Sequence, residues 1–127
     1  MKLIAPTLDL NEEATHESIA NTIQSLEKRD DPFVILQHNE MTYMQTLWTP
    51  EGFSLEYQEE SSNQHFQSSY LLPKEQVISC FQAYLSNDQS WKSQVEFEQK
   101  IIKDIPFNFG RSIGQFFGGF IRGFNRT

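Results

Sequence analysis

The sequence predicts an α+β domain: an antiparallel four-stranded meander covered by an N-terminal helix and a second helix, with a C-terminal amphipathic tail rich in Phe and Gly. Three observations predict it. Four strand-like runs follow one another between residues 33 and 71, joined by links too short for helical crossovers. Apolar residues at helical spacing lie on both sides of that block. The length, 127 residues, allows one modest core and not two. A sheet with one apolar face and two helices with one apolar stripe each bury the most surface by packing together.

Residues 1–10 read as an extended lead-in. From Asn11 or Glu12 to about Arg29 the pattern is helical, because Ile19, Ile23 and Leu26 share one helix face. Glu12, Glu13 and Glu17 sit near its start and Lys28 and Arg29 at its end, the charge order that a helix dipole favours. Asp30-Asp31-Pro32 stops it, since proline disfavours helical geometry in the residue before it.

FVILQH (33–38) is apolar on both faces at first, as a central strand would be. MTYMQTLW (41–48) is rich in β-branched and aromatic residues. FSLEYQE (53–59) alternates, with Phe53, Leu55 and Tyr57 on one face and Ser54, Glu56 and Gln58 on the other, which is the pattern of a strand with one solvated side. QHFQSSYL (64–71) is the weakest run, and Phe66 and Tyr70 are its expected inward residues. Pro73 opens a second helix at a position where the missing N–H costs nothing. Its apolar stripe is Val77, Phe81, Tyr84 and Leu85, with Cys80 beside it, and Ser86-Asn87-Asp88 ends it. Residues 91–102 fit strand or helix, and an extended piece near 93–98 is expected. The domain is read as residues 1–104 and the tail as 105–127.

The net charge is −7, with a pI near 4.8. Such a body repels phosphate backbones, so nucleic acid is not expected as a partner. A single cysteine, Cys80, excludes an intrachain disulfide and a cysteine-based zinc cluster. The first residues lack the long apolar core of a secretory leader, and no run reaches the roughly 18 uninterrupted apolar residues of a membrane span. These features lead to the expectation of a cytoplasmic protein.

No catalytic constellation is legible. There is no phosphate-cradling glycine loop, no GxSxG and no HExxH, and no cofactor or metal is expected. His38 and His65 fall where strands would bring them together, and Cys80 on a covering helix would complete a Cys–His pair. The plainer expectation is a small buried hydrophobe at Cys80 and surface histidines on the strands. Glu56 and Glu59 fall on opposite faces of a strand, which does not suit paired acid/base work, and both read as solvated.

From residue 33 the order FVILQ, YMQT, FSLEYQ, HFQ, the helix VISCFQAYLSND and a following Trp91 resembles bacterial immunity proteins of the Imm1 type and their small relatives. The resemblance spans roughly residues 7–98 and rests on core and turn positions. It implies a cytoplasmic protein without catalysis of its own that binds and blocks a cognate toxin.

The tail, FNFGRSIGQFFGGFIRGFNRT (107–127), carries the most distinctive pattern. On a helix, Phe109, Ile113, Phe116, Phe117, Phe120, Ile121 and Phe124 form one apolar stripe. Gly110, Gly114 and Gly118 form a smooth ridge beside it. Arg111, Arg122 and Arg126, with no acid, give residues 105–127 a charge of +3, and the other 104 residues carry −10. Glycine costs about 1 kcal/mol per position in a helix, so this segment needs a surface to pack on. Its own body, an anionic membrane surface and another protein chain are the three candidates, the last including self-association through the glycine ridge. Phe109, Arg111, Ile113, Phe116, Phe117, Phe120, Ile121, Arg122 and Phe124 are the expected contact residues. The functional expectation is a non-enzymatic protein-binding module, with a membrane-peripheral protein as the alternative.

Overall fold

The structure is a computed structural model that describes residues 1–100. The tail and the expected contact residues from Phe109 to Phe124 lie outside the described residues. The class is α+β, but the sheet has seven strands where the sequence predicts four. In chain order the elements are β1 (Lys2–Ala5), a 3-10 turn (Pro6–Leu8), β2 (Leu10–Glu13), α1 (His16–Gln24), β3 (Phe33–Asn39), β4 (Thr42–Thr49), β5 (Gly52–Glu59), β6 (Ser61–Ser68), α2 (Lys74–Leu85), α3 (Trp91–Gln94) and β7 (Phe97–Lys100). The sheet is antiparallel throughout, in the order β2-β1-β3-β4-β5-β6-β7.

The expected lead-in is an edge hairpin. β1 pairs with β2 on one side and β3 on the other, so Ile4 lies opposite both Asn11 and Ile35. Asp9 takes the left-handed conformation (φ 51°) that closes the turn, and its N–H donates to the Pro6 carbonyl at 3.0 Å. Thr7 Oγ1 donates to the carbonyls of Asp30 and Asp31, tying this hairpin to the loop that feeds β3. The expected early start of the first helix is therefore corrected: Glu12 and Glu13 are strand residues. Glu13 meets the Lys2 ammonium and the chain's amino terminus, each at 3.4 Å, and these partners hold its carboxyl below the usual range. The helix begins only after Thr15. There Thr15 Oγ1 accepts from the Ser18 N–H at 3.0 Å, and Ser18 Oγ accepts from the Thr15 N–H at 2.8 Å. Serine takes the part usually given to Glu in this reciprocal cap.

Two turns set the path of the chain around α2. At the β4–β5 hairpin Gly52 has φ 146°, and a Cβ there would stand 3.1 Å from Leu71 Cβ and 3.2 Å from the Leu72 carbonyl oxygen. The close approach arises because Phe53 and Leu72 exchange backbone hydrogen bonds of 2.9 and 2.7 Å. That bridge draws the segment before α2 onto the sheet. At the other end of α2, Asn87 is left-handed (φ 61°), the Asn87 N–H donates to Tyr84 and the Asp88 N–H to Ala83. This is a Schellman ending with Asn in the glycine position. Asp88 then accepts from the Ser90 N–H at 2.9 Å, which lowers the Asp88 carboxyl and starts α3.

All three helices pack on one face of the sheet. Leu3, Val34, Leu36, Met44, Leu55 and Tyr57 meet Ile19 and Ile23 of α1, Val77, Cys80 and Phe81 of α2, and Trp91 of α3. Trp91 anchors the β7 end. It is fully buried, edge-on to Tyr57 at 4.8 Å and to Phe97 at 5.9 Å, while Tyr57 stacks on Phe66 at 4.9 Å. Tyr70, expected inward, is instead exposed, because β6 ends at Ser68. The ambiguous segment after 91 resolves into one helical turn and then a strand.

Replacing Trp91 removes the ring that joins α3, β5 and β7. Trp91→Ala is expected to lower the unfolding free energy by about 3–5 kcal/mol in urea denaturation. A loss below about 1 kcal/mol would show that this cluster does not hold the β7 edge.

Candidate functional site

The strand residues opposite the helices form the second face of the sheet, and over the central strands it is not solvated, although Lys2 and Glu98 at its edges are exposed. Register aligns its side chains in rows. One row runs Ile4, Ile35, Gln45, Glu56, Gln67 and Glu98. The next runs Lys2, Gln37, Tyr43, Gln58, His65 and Lys100. Phe33, Ile35, Tyr43 and Leu47 make a second apolar cluster, with Ile4 against it, on the β1–β4 half. The β5–β7 half is polar, yet Glu56 is 0% and His65 1% exposed. The expectation of a solvated Glu56 is therefore corrected. Glu56 and Glu59 do lie on opposite faces, but Glu56 is buried.

Hydrogen bonds join these side chains across three strands. Gln58 Nε2 donates to the Met41 carbonyl at 3.1 Å, which fixes the orientation of the amide. Its Oε1 then accepts from Tyr43 Oη at 3.3 Å and from His65 Nδ1 at 3.0 Å. An amide oxygen only accepts, so the hydrogen sits on Nδ1. His65 Nε2 faces Glu56 Oε2 at 3.7 Å, and the same oxygen accepts from Gln45 Nε2 at 2.6 Å. Lys100 Nζ stands 3.9 Å from Glu56 Oε1. Burial, and after it the charge of Glu56, push the Tyr43 phenol well above its ordinary range. Burial pushes the Lys100 ammonium down, against the pull of Glu56 and Glu98. Chemically this is a shielded acid–amide–imidazole network that clamps β4, β5, β6 and β7 together.

The second place of interest is on the helix side, at the ends of β3–β6. An open cleft of about 430 Å³ is lined by His38, Thr42, Glu59, Glu60, Gln64, Tyr84, Trp91 and Lys92, among others. Lys92 pairs with Glu59 at 2.5 Å, and its ammonium lies 5.7 Å from the Tyr57 ring centroid and 5.6 Å from that of Trp91. Burial, and then Glu59, push the Tyr57 and Tyr84 phenols up to about 12.

The Cys–His arrangement does not assemble. Cys80 is buried in the helix-side core, and burial pushes its thiol up to about 11. His65 lies on the other side of the sheet, and His38 is exposed at the end of β3. His16 Nε2 meets Ser86 Oγ at 2.8 Å, joining α1 to the end of α2. Among the described residues there is no cluster of His, Cys, Asp or Glu suited to a metal. No described helix is long and apolar enough to cross a membrane. Comparisons with family models, curated proteins and solved structures find no match to this chain.

Sequence reasoning missed Gln45, Glu56, Gln58, His65 and Gln67 as a group. The available signal was FVIL at 33–36: a strand apolar on both faces needs neighbours that are buried on both faces.

Glu56→Ala leaves the buried Gln45 amide without its acceptor and removes the carboxyl that faces His65 and Lys100. It is expected to cost about 3 kcal/mol, and Glu56→Gln, which keeps the shape, clearly less. Equal, negligible losses in urea denaturation would remove the network from the stability account. The tyrosines give a pH signature. An unfolded chain releases phenol protons near 10, while folded Tyr57 and Tyr84 keep theirs to about 12. The native state then binds more protons than the unfolded state, so stability falls as pH rises through this window. The urea midpoint should drop steadily between pH 10 and 12, and a flat midpoint would contradict it.

Proposed function

We propose that this chain is a non-enzymatic protein-binding module of the immunity-protein kind, which meets a basic partner surface at the cleft beside Glu59 and Glu60. The observation that carries this reading is the cleft itself. It is open, walled by the aromatic rings of Tyr84 and Trp91 and edged by two adjacent carboxylates. It also lies on a body that carries the whole acidic excess of the protein. A partner's Lys or Arg would find carboxylates at the rim and the half-buried Tyr84 ring at the wall, a combination that cationic side chains favour at interfaces. Lys92 already occupies such a position in cis, with its ammonium on Glu59 and within 6 Å of the Tyr57 and Trp91 ring centroids.

The resemblance to immunity proteins supports the same reading. The stretches that carry it are β3, β4, β5, β6, α2 and Trp91, the elements that build the cleft's walls and floor. The burial and raised thiol of Cys80 weigh on the same side, since a nucleophilic cysteine needs an accessible thiolate. The membrane-peripheral alternative rests on the sequence pattern of the tail.

Co-expression with the protein products of neighbouring genes, followed by calorimetry on the purified pair, tests the proposal. A stable complex is expected, with affinity reduced at least tenfold by Glu59→Lys and Glu60→Lys together. Failure of every neighbouring product to bind, or a complex indifferent to those charge reversals, would refute it.

A further inference from the structure

We propose that the corner formed by Tyr57, Trp91 and Glu59 is a binding site for a primary ammonium, held in the free protein by Lys92 and taken over by a lysine of the basic partner when it docks. The identity of the incoming chain rests on the function proposed above. The site itself stands on the geometry of this chain.

The corner has the walls that an ammonium needs. The Tyr57 and Trp91 rings meet nearly at right angles, 82° apart with centroids at 4.8 Å. Lys92 Nζ lies over both, 5.7 Å from the Tyr57 centroid and 5.6 Å from that of Trp91, and it stands 2.5 Å from Glu59 Oε1. One charge thus meets two rings and a carboxylate. Burial, and then Glu59, raise the Tyr57 and Tyr84 phenols, so the Glu59 charge reaches both tyrosines at this end of the sheet. A compact ammonium on a flexible stem fits such a corner, whereas a guanidinium directs its donors in a fixed planar fork.

Trp91 gives a second sign. Its indole N–H is buried without a hydrogen bond among the described residues. Phenylalanine would place a ring there without leaving a buried donor unmet. What tryptophan supplies beyond phenylalanine is the strongest π face for a cation, and Lys92 lies over that ring.

Lys92 is placed to let go. It belongs to α3, a single turn beside the open cleft. Its side chain is 37% exposed and that of Glu59 44%. An ion pair so exposed contributes little net stability, because water meets both charges when they part. The cleft also holds more acid than base. Among its described side chains, Glu59 and Glu60 stand against the one ammonium of Lys92. Glu60 is exposed, on a left-handed backbone (φ 66°) whose N–H donates to Thr42 Oγ1 at 3.1 Å, which fixes the second carboxylate's place at the rim. An incoming ammonium is drawn in by Glu60 and exchanges with Lys92 on Glu59. One ammonium arrives and one leaves for water, and the docked partner then shields the new pair from solvent and strengthens it.

The test uses the full chain and n-butylammonium, which has the four-carbon stem and ammonium of a lysine side chain. The Trp91 indole N–H resonance is followed by NMR at constant ionic strength. Lys92→Ala opens the corner. This variant is expected to bind the probe saturably and about tenfold more tightly than the wild type, in which Lys92 competes. Adding Glu59→Gln should weaken that binding by about fivefold or more. Unchanged β4–β5 amide shifts check that both variants are folded. Binding no tighter in Lys92→Ala than in the wild type, or indifferent to Glu59→Gln, would overturn the site. In the wild-type complex with a partner, the Lys92 Hε protons should lose the upfield shift that the two rings impose, and unmoved Hε signals would overturn the exchange. The probe titration involves no partner. Failure of every neighbouring product to bind would therefore refute the proposed function and leave the ammonium site standing. Loss of the tenfold gain would refute this site and leave partner binding at the cleft untouched.

Discussion

The structure depends on one constraint: the central strands of the sheet are buried on both faces. β5 shows it most fully. Phe53, Leu55 and Tyr57 enter the helix-side core, while Ser54, Glu56 and Gln58 are shielded on the other side. A strand in this position has no solvated side on which to place polar groups without cost. Every polar atom on the second face must find a partner from a neighbouring strand or from whatever lies above it. The Gln45–Glu56–His65–Gln58–Tyr43 network is the response the sequence makes to that constraint.

The two faces divide the work. The helix side uses volume: Trp91, Phe81, Tyr57 and Phe66 fill the space between the sheet and its helices with rings in edge and stacked contacts. The second face uses specificity. A one-residue slip of β5 against β4 or β6 would place Leu55 or Tyr57 opposite Gln45 and Gln67, and would send Glu56 into the apolar core. The polar row thus fixes register in a sheet whose edges are short strands with little pattern of their own. The open cleft lies apart from this row, at the strand ends.

How much of this was legible in the sequence follows from the strength of local signals. α2 was plain, because Pro73 marks its start and Val77 and Phe81 keep one face, and β3, β4 and β5 were plain from long β-branched and aromatic runs. β1, β2 and β7 were not, because each is four residues long and carries no period. Glu12 and Glu13 looked like helix-start acids, yet pairing with β1 captured them as strand residues. Glu56 looked solvated because alternation reports which residues share a face, and says nothing about whether that face is covered. The burial of the second face is a tertiary fact. Its one sequence trace was the two-sided apolar run at Phe33–Leu36.

The claim that both faces are shielded is tested most directly by the histidines, which sample different environments in one chain. His65 lies on the second face at 1% exposure, while His16 and His38 are exposed. Modification of the native full chain with diethyl pyrocarbonate, read by peptide mass mapping, should label His38 and His16 first and leave His65 unmodified until the protein is unfolded. Labelling of His65 at the rate of His38 in the folded protein would contradict the account.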